Sequence, residues 1–327
     1  TMHLYLGMND MIRASGNPRK SMAIMLTSVA VNLMLNPLFI FKFGWGIQGS
    51  AAATVISQFV SFLIALSHFC SKKSFLRFKR EAFHFDWKIV GNILSIGLAP
   101  FLMNICASLV AAFVNSAMLH YGGMGVHDIV SREQGAADLY VGAYGIVNRV
   151  VLLFIMVVQG LNQGMQPIAG YNYGARQYAR VREVFWKTAR LATYVTTLCF
   201  IIGVFFPETA MSIFTHDEEL LELSASALRI LTLVFPIVGF QMIGTNFFQC
   251  LGMVKKSIIL SLSRQLLFLL PLLYCLPLWM GANGVWMSFP ISDVLSALLT
   301  AILLRRLFKK FNMLKDGEES TILGSNL

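Results

Sequence analysis

Long apolar runs separated by short clusters of charge dominate the chain. Six stretches contain no Asp, Glu, Lys or Arg, at residues 21–41, 43–71, 89–127, 150–175, 230–254 and 265–292. A helix needs about 20 consecutive apolar residues to cross a hydrocarbon core of roughly 30 Å. The pattern predicts a helix tail at 1–14 and eight complete spans, at 21–42, 48–70, 89–119, 139–166, 186–207, 222–251, 257–279 and 284–305.

The composition and the charge distribution also indicate a membrane protein. Hydrophobic residues make up 56% of the chain and charged residues 13%, against about 25% charged in a soluble domain. The net charge of +10 is explained by membrane topology. If the loop at 13–20 is cytoplasmic, the alternation of the spans puts 21 of the 26 basic residues on the cytoplasmic side, as the positive-inside rule predicts. We therefore expect an all-α, multi-pass, monomeric protein of the cell membrane (inner or plasma membrane) with a cytoplasmic C-terminus. Its partner is the lipid bilayer and not nucleic acid.

One short unit occurs twice. Gly16-Asn-Pro-Arg-Lys-Ser21 returns 236 residues later as Gly252-Met-Val-Lys-Lys-Ser257, and Gly46-Ile-Gln-Gly49 returns 235 residues later as Gly281-Ala-Asn-Gly284. Such self-similarity at a fixed offset is the signature of a duplicated structural unit. Six spans separate the copies, so both copies face the same side and the halves are related by an axis along the membrane normal.

The repeat also predicts the domain organisation. Residues 1–71 form the end of an N-terminal lobe, 72–88 a basic and aromatic cytoplasmic linker, 89–306 a complete C-terminal lobe of six spans, and 307–327 a cytoplasmic tail. The second copy has more than two hundred residues before it and the first copy has almost none. We therefore expect an intact protein of six plus six helices, of which this chain is an N-terminally truncated form.

Charged and amide side chains within the spans are the candidate functional residues, because burying them in a bilayer is costly. Three charged residues approach the predicted midplane: Asp293, Arg149 and Arg264. The amides that we group with them are Asn104, Asn115, Asn148, Gln241 and Asn246. They either line a polar cavity for a cation or charged substrate, or form an Arg–Asp pair and hydrogen bonds that hold the helices together.

Other candidate chemistry is limited. Pro236, in the middle of its predicted span, is the best candidate for a hinge, with a static kink as the alternative. The five cysteines are dispersed and contain no Cys-x-x-Cys pair, which predicts neither a metal site nor a disulfide framework. No HExxH, GxSxG or phosphate-binding loop is present. We expect a protein that is not an enzyme and that has no cofactor.

The segment 159–176 resembles the multidrug and toxic compound extrusion (MATE) family. It contains a Gln-Pro pair and a Gly-x-Asn-x-Gly-Ala motif, and the segments 13–18, 32–37 and 46–54 match the family as well. The matching positions that we single out are Gln166, Pro167, Gly170, Asn172, Gly174, Ala175, Arg13, Gly16, Asn36 and Pro37. The resemblance extends over essentially the whole chain and is strongest to a bacterial branch of multidrug exporters.

The resemblance implies a secondary antiporter with two six-helix lobes around a central cavity. Such a protein exports small amphipathic or cationic compounds by alternating access in exchange for H⁺ or Na⁺. One branch of the family has a Glu about eight residues after the proline of the seventh span, where this chain has Ser108. Two alternatives stay open: a lipid-linked oligosaccharide flippase of the same superfamily, with Arg149 and Arg264 on a pyrophosphate, and an inactive fragment or membrane scaffold.

Overall fold

The protein folds as an assembly of long helices. A computed structural model describes residues 2–71, 86–122 and 130–313, and every regular element within these ranges is helical. The predicted all-α fold is therefore confirmed. The chain divides into two compact units, residues 1–90 and 91–327.

Twelve α-helices and two π-helical segments make up the described residues. They are α1 Met2–Ala14, α2 Pro18–Pro37, a π-helix Leu38–Lys42, α3 Gly46–Cys70, α4 Trp87–Gly122, α5 Val130–Gly174, α6 Tyr178–Phe205, α7 Pro207–Ser212, α8 Glu218–Thr232, α9 Phe235–Cys250, α10 Val254–Leu262, a π-helix Ser263–Leu269, α11 Leu270–Met280 and α12 Ala282–Met313.

The first unit is a three-helix cluster. Helix α1 packs against both α2 and α3, which also pack against each other. Its core consists of Tyr5, Ile12, Ile24, Ala65 and Phe69, which come from all three helices. The helix tail predicted at residues 1–14 is therefore a folded part of this unit.

The second unit contains two apolar cores. One lies among α5, α6, α9 and α12 and includes the fully buried side chains of Phe185 and Phe247. The other joins α4, α5, α8, α11 and α12 around Met118, Leu228 and Trp286. Long stretches of apolar surface stay exposed outside these cores, as expected of helices that meet lipid.

The predicted membrane spans correspond to the observed helices. Among the described residues, seven helical segments are long and apolar enough to cross a membrane, and there are eight if the bent pair α8 with α9 is counted as one span. The predicted continuous span at 222–251 is wrong in one respect, because its two parts meet at an angle of 56°. Pro236 lies in the first turn of α9, and its ring and missing N–H prevent a continuous α-helix there. A bend is therefore present, and motion about it stays a prediction.

The last helix is longer than predicted. Helix α12 continues to Met313, although the sequence places the end of the span at 305 and the start of the tail at 307. Leu304, Leu307 and Phe311 recur on one helix face and are buried in the first core, which holds the additional turns in place. Residues 72–85 of the predicted linker and 314–327 of the predicted tail lie outside the described residues.

The duplicated sequence unit corresponds to a duplicated backbone turn. Gly16 and Gly252 follow α1 and α9 with positive φ angles of 87° and 72°. In both turns the next amide donates to the carbonyl five residues earlier, Asn17 to Ile12 and Met253 to Phe248. This left-handed helix end favours glycine, because any other L-residue brings its Cβ too close to the backbone. The shared torsion explains why glycine starts both copies.

The second glycine signal marks a close helix contact in both copies. A Cβ added to Gly49 would lie 3.0 Å from backbone atoms of Phe39, and one added to Gly284 would lie 2.5 Å from the Leu276 carbonyl. Both contacts join the last span of a lobe to the end of the span before it. The repeat therefore preserves a tight interhelical crossing that only a residue without a side chain permits.

Candidate functional site

A buried ion pair joins the last two spans of the second unit. Asp293 in α12 is 6% exposed, and the Nε of Arg264 donates to its Oδ1 over 2.7 Å. The Arg264 side chain is 28% exposed, so it is less deeply buried than its partner. Two of the three predicted intramembrane charges are thus brought together.

A local irregularity of the helix carries the arginine. Arg264 lies in the π-helical segment Ser263–Leu269, between α10 and α11. A π-helical turn inserts an extra residue and changes the direction of the side chains that follow, and such turns are frequent at functional sites. By the repeat offsets, the first unit has Ser28 and Gln58 at the equivalent positions, and Ser28 lies in the regular helix α2. The two copies therefore differ in charge here.

A second polar contact ties α12 to α9. The Nε2 of Gln241 donates to the Oγ of Ser296 over 3.0 Å, and both residues are buried. Ser296 lies three residues after Asp293, so the two contacts lie on one face of α12. Helix α12 is thus held by neighbouring polar contacts to two different elements, as in other membrane helix bundles.

A small polar cavity adjoins these contacts. Its volume is about 40 Å³, room for a few water molecules. Five elements of the second unit line it, α4, α5, α9, α10 and the π-helix that carries Arg264. Three of the predicted candidates, Gln241, Asn246 and Arg264, are among the lining residues. Asp293 does not line the cavity itself but accepts a hydrogen bond from Arg264.

Two amide oxygens at this cavity lack a partner. The Oε1 atoms of Gln241 and Gln265 are buried, and neither has a hydrogen bond within the described part of the chain. A buried acceptor without a partner costs about 1–3 kcal/mol, so these atoms favour a donor such as water or a ligand N–H. The free edge of Arg264 supplies donors on the same cavity.

The other predicted site residues lie elsewhere. The side chains of Asn115, Asn148 and Arg149 are exposed and do not line this cavity. Asn104 is exposed as well, and its Nδ2 donates to the carbonyl of Pro100 in its own helix. The Oγ of Ser108 donates to the carbonyl of Asn104, so an uncharged hydroxyl occupies the position where the resemblance suggests a Glu.

Sequence reasoning missed five of the eight polar residues that line the cavity. The additional polar residues are Gln159, Thr245, Gln249, Ser261 and Gln265. A usable signal was present, because Gln241, Thr245 and Gln249 recur every four residues and therefore share a face of α9. Asn162 was missed too. It is 1% exposed, and neither of its side-chain polar atoms has a partner among the described residues.

The motif residues of segment 166–175 shape the end of α5. Asn172 is buried and its Nδ2 donates to the carbonyl of Ile168, and a Cβ on Gly170 would lie 3.6 Å from the carbonyl oxygen of Cys250. The helix then ends in a left-handed turn at Arg176, with a φ of 58°. The described ranges 2–71, 86–122 and 130–313 contain no cluster of three His, Cys, Asp or Glu residues that could hold a metal.

Known proteins resemble both the sequence and the fold. A family model described as MatE matches residues 129–275. The Multidrug export protein MepA of Staphylococcus aureus is 24% identical over 300 residues, covering 92% of this chain and 63% of the relative. MepA of Staphylococcus haemolyticus is 23% identical and covers 90% of this chain and 62% of the relative. The chain thus spans less than two thirds of the length of these relatives.

Solved structures share the helical arrangement. A MATE in complex with MaL6 matches with a TM-score of 0.83 at 23% identity, over 95% of this chain and 67% of the other. An outward-facing multidrug resistance MATE family transporter of the MOP superfamily matches with a TM-score of 0.82 at 23% identity, over 94% and 66%. A MOP superfamily transporter from Pyrococcus furiosus, described as having a binding pocket of reversed polarity, matches with 0.81 at 24% identity, over 93% and 66%.

These matches confirm the resemblance found in the glycine and Gln-Pro motifs. The MatE region includes α5 to α10 and most of α11, and so contains Arg264 and most of the cavity lining. The MatE region, the multidrug export relatives and the shared fold together show that this chain resembles MATE transporters in sequence and in fold.

Proposed function

We propose that this chain supplies the C-terminal lobe and part of the N-terminal lobe of a secondary antiporter that exports amphipathic or cationic compounds in exchange for H⁺ or Na⁺. The observation that carries the proposal is the buried Arg264–Asp293 pair beside a polar cavity. The names of the relatives, multidrug export proteins, support the class of substrate.

The ion pair provides a group whose charge can change during a transport cycle. A carboxylate as buried as Asp293 is stable when a cation compensates it. When H⁺ neutralises Asp293, Arg264 loses its ionic partner, and its guanidinium can turn towards the acceptor oxygens of Gln241 and Gln265. The tether between α12 and the π-helix is then released, while Gln241 still holds α12 through Ser296.

The bent pair of helices α8 and α9 suggests where movement would be accommodated. Helix α9 carries Gln241, Thr245 and Asn246 along the cavity, and its first turn contains Pro236 after the 56° bend. A helix break of this kind can act as a hinge, because Pro236 lacks the N–H that would continue the helical hydrogen bonds across it. We propose that α9 moves relative to α8 as the lobe alternates between inward and outward openings.

The flippase alternative is less well supported by the same residues. Binding of a pyrophosphate needs cationic side chains that are available to its oxygens. Arg264 is the single cationic side chain among the cavity-lining residues, its charge is compensated by Asp293, and Arg149 does not line the cavity. A flipping assay with a fluorescent lipid-linked oligosaccharide in vesicles would separate the two functions.

Efflux of a fluorescent cation tests the proposal. The chain, together with any segment that precedes Thr1, is expressed in a drug-sensitive bacterial host, and ethidium accumulation is measured with and without an uncoupler. We expect less ethidium accumulation than in the host without the protein, and we expect the uncoupler to return accumulation to the level of that host. Unchanged accumulation across a panel of cationic dyes would contradict the proposed export activity.

Matched variants test the role of the site. We expect Asp293→Asn to abolish the uncoupler-sensitive part of the efflux, since it keeps the side-chain shape but cannot change charge. Asp217→Asn is the control, because Asp217 caps the N-terminus of α8 through Leu220 and does not line the cavity. Normal efflux by the Asp293→Asn protein would assign this pair to packing alone.

A further inference from the structure

A groove with a basic rim and an aromatic floor lies at the predicted cytoplasmic end of the second unit. Its volume is about 470 Å³, within the range of small-molecule sites. One face of α12 forms most of its wall, with residues spaced three or four apart: Ala301, Leu304, Arg305, Phe308, Lys309 and Asn312. Trp186 from α6 and Phe240 from α9 complete it.

The floor of the groove is aromatic. The ring centroids of Trp186 and Phe240 are 6.3 Å apart at an interplanar angle of 29°, and those of Trp186 and Phe308 are 6.1 Å apart at 32°. Trp186 is nonetheless 42% exposed, so much of its surface is available to an apolar group. Tryptophan in this situation is typical of the membrane–water boundary, where one part of the ring meets hydrocarbon.

The rim carries two positive charges, those of Arg305 and Lys309. Neither Arg305 nor Lys309 forms an ion pair within the part of the chain that the structure describes. Arg182 lies close by, where its guanidinium donates to the Oδ1 of Asn312 over 2.7 Å. The rim therefore attracts an anionic group, and its guanidinium and ammonium donors suit phosphate oxygens.

The depth of the groove in the membrane follows from α12. Between Ala282 and Leu304 the helix has one charged residue, Asp293, and at 1.5 Å per residue this stretch is about 34 Å long, close to the thickness of the hydrocarbon core. Arg305 comes directly after it. The basic rim thus lies at the level of the lipid phosphates, and Ala301 and Leu304 lie at the level of the acyl chains.

We propose that this groove binds an anionic phospholipid of the cytoplasmic leaflet. The phosphate lies between Arg305 and Lys309, and an acyl chain lies along Trp186, Phe240 and Phe308. Basic pockets between helices on the cytoplasmic side are known sites for such headgroups. The sequence offers a competing occupant in Asp316, Glu318 and Glu319. Apolar residues, Ile322 and Leu323, follow the acidic ones, so the test must separate this segment from the lipid.

Quenching of Trp186 fluorescence by brominated lipid tests the proposal. The full chain in dodecylmaltoside micelles containing phosphatidylcholine is titrated with brominated phosphatidylglycerol. The same titration with a Trp186→Phe protein is subtracted to isolate the signal from the groove. We expect saturable quenching, with a marked preference for brominated phosphatidylglycerol over brominated phosphatidylcholine.

Two double variants with the same net charge distinguish binding in the groove from general electrostatic attraction of the anionic lipid to the basic helix end. Arg305→Gln with Lys309→Gln removes the rim, and at about fivefold per lost charge we expect a loss in phosphatidylglycerol affinity of roughly thirtyfold. Arg306→Gln with Lys310→Gln removes the same charge at the same depth, but neither residue lines the groove, so we expect affinity near that of the unmodified chain. An equal loss in both double variants would overturn the proposal.

Two further outcomes would also overturn it. If glycerol phosphate competes as well as the lipid does, the groove recognises free phosphate and the aromatic floor has no role. If a chain ending at Met313 binds phosphatidylglycerol much more tightly than the full chain, the acidic segment is the natural occupant. If phosphatidylglycerol binding persists in the presence of glycerol phosphate, and its affinity is unchanged in the chain that ends at Met313, the lipid is the occupant of the groove.

Discussion

Removing either partner of the Arg264–Asp293 pair should destabilise the protein, and by unequal amounts. Loss of one member of a buried ion pair costs about 3–5 kcal/mol, because the other charge is left uncompensated. The Asp293 side chain is only 8% exposed, whereas that of Arg264 is 28% exposed. Arg264→Gln therefore leaves the more deeply buried charge, that of Asp293, without a compensating cation. We expect this variant to lose the full 3–5 kcal/mol, about the whole cost of breaking such a pair.

Asp293→Asn should lower the free energy of unfolding by less, because Arg264 can form new hydrogen bonds in the cavity. Its guanidinium already contacts the cavity, where the Oε1 atoms of Gln241 and Gln265 lack donors. Two new hydrogen bonds from a charged donor recover about 1.5–3 kcal/mol each at best, and reorientation offsets part of that gain. We expect a net cost of about 1–2 kcal/mol for this variant, well below that of Arg264→Gln.

A double-mutant cycle gives the test. The free energy of unfolding is measured by SDS titration in mixed micelles for the unmodified chain, Arg264→Gln, Asp293→Asn and the double variant. We expect the double variant to be more stable than Arg264→Gln, with a coupling energy of about 1–3 kcal/mol. A coupling energy near zero, or an Asp293→Asn protein less stable than Arg264→Gln, would refute this reasoning.

Two more predictions concern packing in the spans. Gly284→Ala places a Cβ 2.5 Å from the Leu276 backbone, and should cost about 1–3 kcal/mol in the same assay, with Gly49→Ala costing less at 3.0 Å. Gly97→Ala, with nothing within 4 Å, should be neutral or slightly stabilising, and the reverse order would contradict the contact geometry. Asn162→Ala removes two buried atoms that lack partners and should raise the thermal unfolding temperature in detergent. A large decrease instead would mean that Asn162 holds a water or another group.

The spans could be predicted from sequence because each one is encoded by a continuous run of residues and does not depend on distant contacts. A run of about 20 uncharged residues has few alternatives to a crossing helix, and the predicted runs correspond to observed helices. Pro236 indicated the position of the break in the span at 222–251. The extension of α12 to Met313 was missed because Arg305, Arg306, Lys309 and Lys310 suggest a cytoplasmic tail. The buried positions between those charges continue the helix.

The partners within the site could be predicted only in part. Arg149 and Arg264 have the same depth and the same chemistry in the sequence, and the rotation of each helix decides between them. Val147 and Val150 are buried on either side of Arg149, which turns the arginine outwards. Arg264 reaches Asp293 from a π-helical turn, and the sequence carries no simple signal for such a turn. The amides of the cavity were underestimated for a related reason, because each one alone resembles ordinary helix packing.

This chain uses the left-handed helix end at more positions than its two repeated glycines. Arg176 adopts a φ of 58° after α5, and the next amide, Gln177, bonds to Asn172 just as Asn17 and Met253 bond in the repeated glycine turns. A helix end of the same shape therefore tolerates a cationic side chain at a cost of roughly 1–2 kcal/mol. Backbone torsion therefore identifies this helix end at a position where residue identity does not. Internal symmetry in chains of this kind should be sought by comparing sequences of φ and ψ, since this would find equivalent turns that a glycine pattern passes over.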